Sequence, residues 1–252
     1  MIWNFIDSGF HSGQHNMDFD IHLAKLCDDN NAYLRFYRWD PYCISLGANQ
    51  KISDINTTKT KVDNIDIVTR PTGGRAILHA EEITYSVIMP LSFGLSPKEI
   101  YNKISQAIIK GLVLYSPILK GTELENLQPN FPALLKQPSG MMCFASTAKN
   151  EVKFNGKKLV GSAQRKMDKV ILQHGSILCG TFHRNLPDYL TSVEPESKNL
   201  NEELANHTIE IQTILGSEID YDSLSKCLKS GFETKWQMKL KHNTDLEKSF
   251  AK

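Results

Sequence analysis

The chain has 252 residues with 29 basic and 28 acidic side chains, so its formal net charge is +1 at neutral pH. This balance excludes a global electrostatic attraction to nucleic acid or to an anionic membrane. Hydrophobic residues make up 40% and charged residues 23% of the sequence, which is typical of a folded globular protein rather than a disordered or fibrous chain. The sequence shows neither an apolar stretch of membrane-spanning length nor a signal-peptide pattern, so we expect a cytoplasmic protein.

The first half of the chain combines strand and helix patterns. Apolar side chains at helical spacing predict a helix over 14–26, and the polar stretch 53–64 predicts a short exposed helix. Alternating or β-branched runs predict strands over 3–6, 33–39, 43–46, 65–69, 76–79 and 83–89. Because only Asp40-Pro41 and one further residue separate the second and third strands, these two strands are predicted to form a hairpin.

The second half begins with the clearest helix signal, where Ser96-Pro97 starts a periodic apolar stripe that runs to about residue 114. Four prolines and no periodicity over 115–140 predict a long surface loop. The remaining predicted elements are strands over 151–154, 157–164 and 170–178 and helices over 202–215 and 222–236. We expect a single domain over residues 1–236 and a flexible polar tail over 237–252.

Asn155-Gly156 is a strong signal for a two-residue hairpin turn, because both residues accept the positive φ values of a type I′ turn. A two-residue turn places Val152 opposite Leu159. The two-residue period of a strand then puts Lys158 and Ser162 on one face, so we expect both to line one pocket. The alternative is that Lys158 belongs to a solvated edge strand.

The segment Arg70-Pro-Thr-Gly-Gly-Arg75 places two adjacent glycines between predicted strands. Without a Cβ, glycine lets a ligand approach the backbone closely and exposes peptide N–H groups. Such a loop suits a carboxylate, a phosphate or a pantetheine-like chain. A Gly-Gly pair between strands is also often nothing more than a turn.

The five cysteines are odd in number and widely spaced, which indicates neither a disulfide framework nor a zinc site. Cys143 follows the proline-rich segment, about a dozen residues before the hairpin that carries Lys158. A nearby ammonium lowers the pKa of a thiol and favours the nucleophilic thiolate. A cysteine beside apolar residues is also often a small core residue, and this is how we interpret the remaining cysteines, Cys27, Cys43, Cys179 and Cys227.

In sequence order, these motifs resemble the lipoate-protein ligase and octanoyltransferase superfamily, in particular the LipM-type octanoyltransferases. The likeness covers nearly the whole chain. The motifs that carry it include Arg70-Pro-Thr-Gly-Gly-Arg75, Glu82-Ile-Thr-Tyr-Ser-Val87, Cys143-Phe144, Lys158-Leu-Val-Gly-Ser-Ala-Gln164 and Val170-Ile-Leu-Gln-His-Gly-Ser-Ile177.

The resemblance implies an α+β fold of mixed, largely antiparallel sheets flanked by helices, like the catalytic fold of biotin and lipoate ligases. It implies transfer of an octanoyl group from acyl carrier protein to a lysine of a lipoyl domain, such as the glycine cleavage H protein or the acyltransferase subunits of 2-oxoacid dehydrogenases. Cys143 matches the cysteine that forms the acyl-thioester, and Lys158 matches the lysine that lowers its pKa. We also expect Lys158 to contact the oxyanion. The expected substrate-binding residues are Arg70, Gly73, Gly74, Arg75, His79, Gly161, Ser162 and Ala163, with no metal and no cofactor.

Two features of the sequence bear on this likeness. The family often has His-Asp where this chain has His79-Ala80, so Glu81 or Glu82 is expected to orient the histidine instead. An acidic carrier protein also suggests a basic docking rim, for which the candidates are Arg70, Arg75, Arg165, Lys166 and Lys169.

Three other functions stay open from the sequence. An ATP-dependent lipoate-protein ligase, which would use ATP and magnesium, also fits the motif at Lys158–Ala163. Against it, Arg75 stands where ligases tend to have a third glycine, and the residues after Gly180 are few for an accessory domain. An amidotransferase that moves the chain between lipoyl domains would also use a cysteine, and a non-catalytic carrier-binding protein could retain the fold.

Overall fold

The computed structural model describes residues 1–126, 150–191, 197–243 and 245–250. The strands are β1 (Ile2–His11), β2 (Asn31–Trp39), β3 (Cys43–Leu46), β4 (Asp66–Thr69), β5 (Ile77–His79), β6 (Glu82–Pro90), β7 (Thr122–Leu124), β8 (Val152–Phe154), β9 (Lys157–Met167), β10 (Val170–Leu178) and β11 (Leu240–His242). The helices are α1 (Gly13–Leu26), α2 (Thr57–Val62), α3 (Pro97–Tyr115), α4 (Ser197–His207), α5 (Ile211–Leu215), α6 (Tyr221–Trp236) and α7 (Asp245–Phe250).

The described strands form two mixed sheets. The larger sheet has the order β11-β1-β2-β6-β10-β9-β8-β7, and the smaller one has the order β4-β3-β5. Pairing is parallel between β1 and its two neighbours and between β3 and β4, and antiparallel elsewhere. This mixed, mainly antiparallel arrangement flanked by helices is the fold class that the resemblance implies.

Helices cover both faces of the large sheet because each face is apolar. On one face, α3 and α6 pack against each other and against the sheet, with Ile104, Ile108, Leu228 and Phe232 fully buried. The Ser96 capping box and Pro97 start α3 as the sequence predicts. On the other face, α1 buries Phe19 and Leu23 against the strands. A separate cluster joins the small sheet to α4.

The predicted hairpin of β2 with β3 is wrong, because the two strands lie in different sheets. The edges of β2 are already paired with β1 and β6, so neither is available to β3. The chain turns at Asp40-Pro41, and β3 instead pairs with β4 and β5. This change of sheet brings β3 and β5 beside the polar ends of β6 and β10, where the candidate site lies.

The Asn155-Gly156 turn is confirmed, with φ values of 49° and 78°. The predicted register is wrong by one residue, since Val152 pairs with Val160 rather than with Leu159. An irregularity between Val152 and Lys153 takes up the extra residue of β9. Such a bulge rotates the side chains on one side of it relative to the other, so Lys158 and Ser162 no longer follow a simple two-residue alternation.

Other boundaries also differ from the sequence predictions. The expected surface loop contains a short 3-10 turn (Pro117–Gly121) and β7, while residues 127–140 of it lie outside the described residues. The expected helix over 202–215 is interrupted near Thr208, which forms a β-bridge with Lys158. Within the expected tail, β11 pairs with β1. No helix among the described residues is long and apolar enough to cross a membrane.

Candidate active site

A cavity lies where the glycine loop (residues 70–75) and the small sheet meet β9 and β10 of the large sheet. It is lined by Met17, Tyr37, Trp39, Ser45, Arg70, Ile77, His79, Thr84, Gly161, Ser162, Ala163, His174, Gly175 and Ser176. The cavity volume is about 20 Å³, close to the minimum for one water molecule. A molecule larger than water would therefore need lining side chains to move, and Met17 is the most adaptable of them.

Arg70 shapes the glycine loop from inside. Its guanidinium donates to the carbonyl oxygens of Gly73 at 3.1 Å and Arg75 at 2.7 Å, and to the carbonyl of Ser45 at 2.9 Å. Arg70 is only 3% exposed. The predicted binding residue therefore lines the cavity and also holds the loop against β3.

Gly74 has a φ of +100°, a conformation that L side chains rarely adopt, and a Cβ there would lie 2.7 Å from Nη2 of Arg70. We expect Gly74→Ala to lower the free energy of unfolding by about 1–3 kcal/mol and to reduce activity by displacing the loop. Gly73→Ala is the matched control, because a Cβ at that position meets no atom within 4 Å. Urea unfolding of both variants measures the difference, and equal stabilities would contradict this account of the loop.

His79 sits in a network of polar contacts at the end of β5. Its Nε2 lies 2.7 Å from Oγ of Ser45, and its Nδ1 lies 2.8 Å from Oε1 of Glu82. The ring stacks on Trp39 with a centroid distance of 4.1 Å. Glu82 thus orients His79, as the sequence suggested for Glu81 or Glu82, whereas Glu81 accepts from the backbone N–H of Phe182.

A second buried network, which the sequence patterns did not predict, lies behind the part of the cavity that His174 lines. Asp20 accepts hydrogen bonds from Arg35 at 3.0 Å and from Ser86 at 2.8 Å, and its Oδ2 lies 3.5 Å from Nδ1 of His174. Nε2 of His174 lies 2.6 Å from Oγ1 of Thr72 in the glycine loop. Desolvation opposes ionisation of Asp20, but the contacts with His174 and Arg35 outweigh it and lower the pKa of this carboxyl.

His174 makes stability depend on pH. Burial lowers the pKa of its imidazole despite the opposing effect of Asp20, with smaller contributions from the charges of Arg70 and His79. The unfolded chain then binds a proton near pH 6.5, where the folded chain does not. We expect the free energy of unfolding to fall as the pH decreases below about 6.5, and His174→Gln to flatten this dependence. Thermal unfolding between pH 5.5 and 7.5 tests it, and an unchanged slope in the variant would contradict it.

Lys158 forms a buried ion pair on β9. Its Nζ lies 2.9 Å from Oε2 of Glu151, and the side chains of Lys158 and Glu151 are 1% and 3% exposed. The other oxygen of Glu151 accepts the backbone N–H of Ser162 at 3.2 Å. Lys158 is therefore not part of a solvated edge strand, and Glu151 connects it to the wall of the cavity.

The structure brings most of the remaining predicted site residues to this place. Gly161, Ser162 and Ala163 line the cavity, whereas Lys158 is not among its lining residues. Oγ of Ser162 lies 2.7 Å from the hydroxyl of Tyr85. Arg75 is buried at 8% exposure, and Cys143 lies outside the described residues.

The predicted basic rim is wrong in part. Arg70 and Arg75 are buried and cannot contact a docking protein. Arg165, Lys166 and Lys169 are exposed where β9 turns into β10, and Arg165 donates to the carbonyl of Pro71 in the glycine loop. Only these three exposed residues stay candidates for docking.

The cysteines that the structure describes are poor candidates for a thiolate. Burial raises the pKa of Cys27 to about 12, and it also raises the pKa values of Cys43 and Cys179. Cys227 is half-buried, and its pKa is raised by burial as well. The interpretation of Cys27, Cys43 and Cys179 as core residues is confirmed, whereas that of Cys227 is wrong, because this side chain is only partly buried. Among the described residues, no group of three or more His, Cys, Asp or Glu side chains is placed to hold a metal ion.

Residues 12–233 match the model of the lipoyl protein ligase A/B catalytic domain. The chain is 35% identical to octanoyltransferase LipM of Clostridioides difficile, over 99% of this chain and 93% of that protein. It is also 35% identical to octanoyltransferase LipM of Bacillus subtilis, over 92% of this chain and 85% of that protein.

Solved structures agree on the fold. A putative lipoate protein ligase from T. acidophilum superposes with a TM-score of 0.75 at 17% identity, covering 100% of this chain and 93% of that one. A lipoate-protein ligase A bound with ATP gives the same TM-score, identity and coverage. The chain belongs to the lipoyl protein ligase A/B catalytic domain family, within its octanoyltransferase branch, and is an acyltransferase.

Proposed function

We propose that this protein transfers an octanoyl group from acyl carrier protein to a lysine of a lipoyl domain in protein lipoylation, and that Cys143 carries the group as a thioester between the two steps. The observation that carries the proposal is the full-length likeness to octanoyltransferases, which covers 99% of the chain in one of them. The acceptor we favour is the glycine cleavage H protein.

In the first step, the Cys143 thiolate attacks the thioester carbonyl of the octanoyl donor. A new carbon–sulfur bond forms, the bond to the pantetheine sulfur breaks, and the pantetheine thiolate takes up a proton. The ammonium of Lys158 favours the attacking thiolate and the oxyanion that develops on the carbonyl. The glycine loop and Gly161 offer backbone close to the reacting group.

In the second step, the neutral ε-amine of the acceptor lysine attacks the carbonyl of octanoyl-Cys143. An amide bond forms, the Cys143 thiolate leaves, and the nitrogen loses a proton to solvent. Exchange of one thioester for another is nearly balanced, and conversion of a thioester to an amide is downhill. The two steps therefore need no ATP to drive them, and the proposal includes no metal or other cofactor.

The raised pKa values of the four described cysteines support Cys143 as the nucleophile. A thiol whose pKa is raised by burial has very little thiolate at neutral pH. Three of these cysteines are buried in the core, and Cys227 lies on α6, which is not among the elements that line the cavity. Cys143 lies outside the described residues, and its sequence position shortly precedes Glu151 and Lys158.

Transfer from octanoyl-acyl carrier protein to apo H protein, in a mixture without ATP, tests the function. We expect the mass of the acceptor to increase by one octanoyl group. A mixture of free octanoate or lipoate with ATP and magnesium is the comparison. Modification of the acceptor only in that second mixture would replace the proposal with an ATP-dependent ligase, and modification only from an octanoylated lipoyl domain would indicate an amidotransferase.

A further inference from the structure

We propose that Glu151 is a positioning residue for the transfer reaction, acting through Lys158, and that no variant lacking its carboxylate keeps the full rate. The inference rests on the proposed function and assigns a role to a residue that the sequence patterns do not single out. The Glu151 carboxylate contacts both the side chain of Lys158 and the backbone of Ser162. Oε2 of Glu151 lies 2.9 Å from Nζ of Lys158, and Oε1 accepts the N–H of Ser162 at 3.2 Å.

The buried ammonium of Lys158 needs a counter-charge, and the Glu151 carboxylate provides one. Lys158 is 1% exposed, and an ammonium removed from water is costly unless a counter-charge compensates for it. Glu151 supplies that charge and is itself 3% exposed, so water screens the pair very little. Replacing the carboxylate removes this counter-charge, so we expect the ammonium of Lys158 to lose the position that the ion pair gives it.

The backbone around the pair is fixed on both sides. Lys158 pairs with Lys153 of β8 and forms a bridge with Thr208, and its carbonyl accepts the N–H of Ile209 at 3.0 Å. His183 lies 3.2 Å from Oγ1 of Thr208 through its Nε2. The main chain of Lys158 is therefore held from both edges, and the contact with Glu151 helps to fix the direction of its side chain.

The contact with Ser162 extends the effect to the cavity. Ser162 lines the cavity and its hydroxyl lies 2.7 Å from that of Tyr85, which in turn accepts from Gln173 at 3.0 Å. Glu151 therefore fixes the lysine and the adjacent wall in one geometry. The N–H of Ser162 is also occupied by this carboxylate and is not free to hold the oxyanion.

A double-mutant cycle tests the role of Glu151. Glu151→Gln is made in the wild-type chain and in the Lys158→Ala chain, and the rate of iodoacetamide alkylation of Cys143 is read by peptide mass spectrometry beside the octanoyl-transfer rate. We expect Glu151→Gln to slow both reactions about tenfold when Lys158 is present, as for residues in direct contact. In the Lys158→Ala chain, it should change neither rate by more than about twofold, because its effect passes through the lysine.

The matched control is Glu125→Gln. Nζ of Lys153 lies 3.0 Å from Oε2 of Glu125 near the same hairpin, and neither residue lines the cavity. This variant should leave both rates within about twofold of their starting values in either chain. If Glu151→Gln does not fold, as judged by circular dichroism and thermal unfolding, Glu151→Asp takes its place. This variant keeps the charge but withdraws it from Nζ of Lys158, so we expect a smaller loss than in Glu151→Gln when Lys158 is present and no loss in the Lys158→Ala chain.

Two outcomes overturn the inference. Equal losses with and without Lys158 would show a structural role that does not act through the lysine. A faster alkylation in Glu151→Gln would show that the carboxylate only weakens the field of the ammonium. Failure of the wild-type chain to transfer the octanoyl group would refute the proposed function instead. The double-mutant cycle read by alkylation of Cys143 would then still decide whether Glu151 acts through Lys158.

Discussion

Replacing Cys143 with alanine is expected to lower the rate of octanoyl transfer by on the order of 10³-fold or more, because no acyl-thioester can form without the sulfur. The fold should persist, since the substitution removes one atom from a small side chain. Transfer measured by the mass of the acceptor, together with the thermal unfolding midpoint, checks both expectations.

Cys227→Ala is the matched control for this variant. Cys227 is half-buried on α6, away from the cavity, and its replacement should leave transfer unchanged. Full activity of Cys143→Ala would remove the thioester from the mechanism. Loss of activity in the Cys227 variant alone would indicate that Cys227, on α6, is the nucleophile.

Lys158→Ala is expected to slow transfer by on the order of 10²-fold, as loss of one group that stabilises a developing charge does. Alkylation of Cys143 at neutral pH should slow as well, because in the proposed mechanism the ammonium of Lys158 favours the thiolate. The variant also removes the counter-charge of the buried Glu151 carboxylate, which is expected to cost about 3–5 kcal/mol of stability. Both rates are therefore measured well below the unfolding midpoint.

Lys157→Ala serves as the control, since the two lysines are adjacent on β9. Nζ of Lys157 donates to the carbonyl of Ala205 at 3.1 Å, whereas the ion pair with Glu151 is made by Lys158. We expect it to keep nearly the full alkylation rate. Equal alkylation rates in the Lys158 variant and in the wild type would show that Lys158 does not tune the thiol.

Local signals in the sequence predicted much of the fold. Ser96-Pro97 started α3, Asn155-Gly156 made the hairpin turn, and the β-branched runs of β6 and β10 became strands. Each of these features depends on residues close together in the chain. The glycine loop and the small residues after Lys158 were likewise predicted to bind substrate, and Gly161, Ser162 and Ala163 do line the cavity.

Features that depend on tertiary pairing were not predictable in this way. β2 cannot pair with β3 because β1 and β6 occupy both edges of β2. The pairing of β1 with β2 joins residues far apart in sequence, so no local pattern predicts it. The bulge beside Lys153 changes the register that the turn alone would set. Two ion pairs of the site were also not predicted. Asp20 and His174 are far apart in sequence, so no local pattern connects them. Glu151 fitted the start of a predicted strand, and nothing local indicated its pairing with Lys158.

Whether Cys143 carries the octanoyl group can be measured by incubating the protein with octanoyl-acyl carrier protein alone, followed by intact mass and peptide mapping. We expect one octanoyl group on Cys143, absent from Cys143→Ala and lost when an apo lipoyl domain is added. An acceptor that becomes octanoylated while no adduct forms on Cys143, or an adduct on another residue that passes to the acceptor, would contradict this expectation.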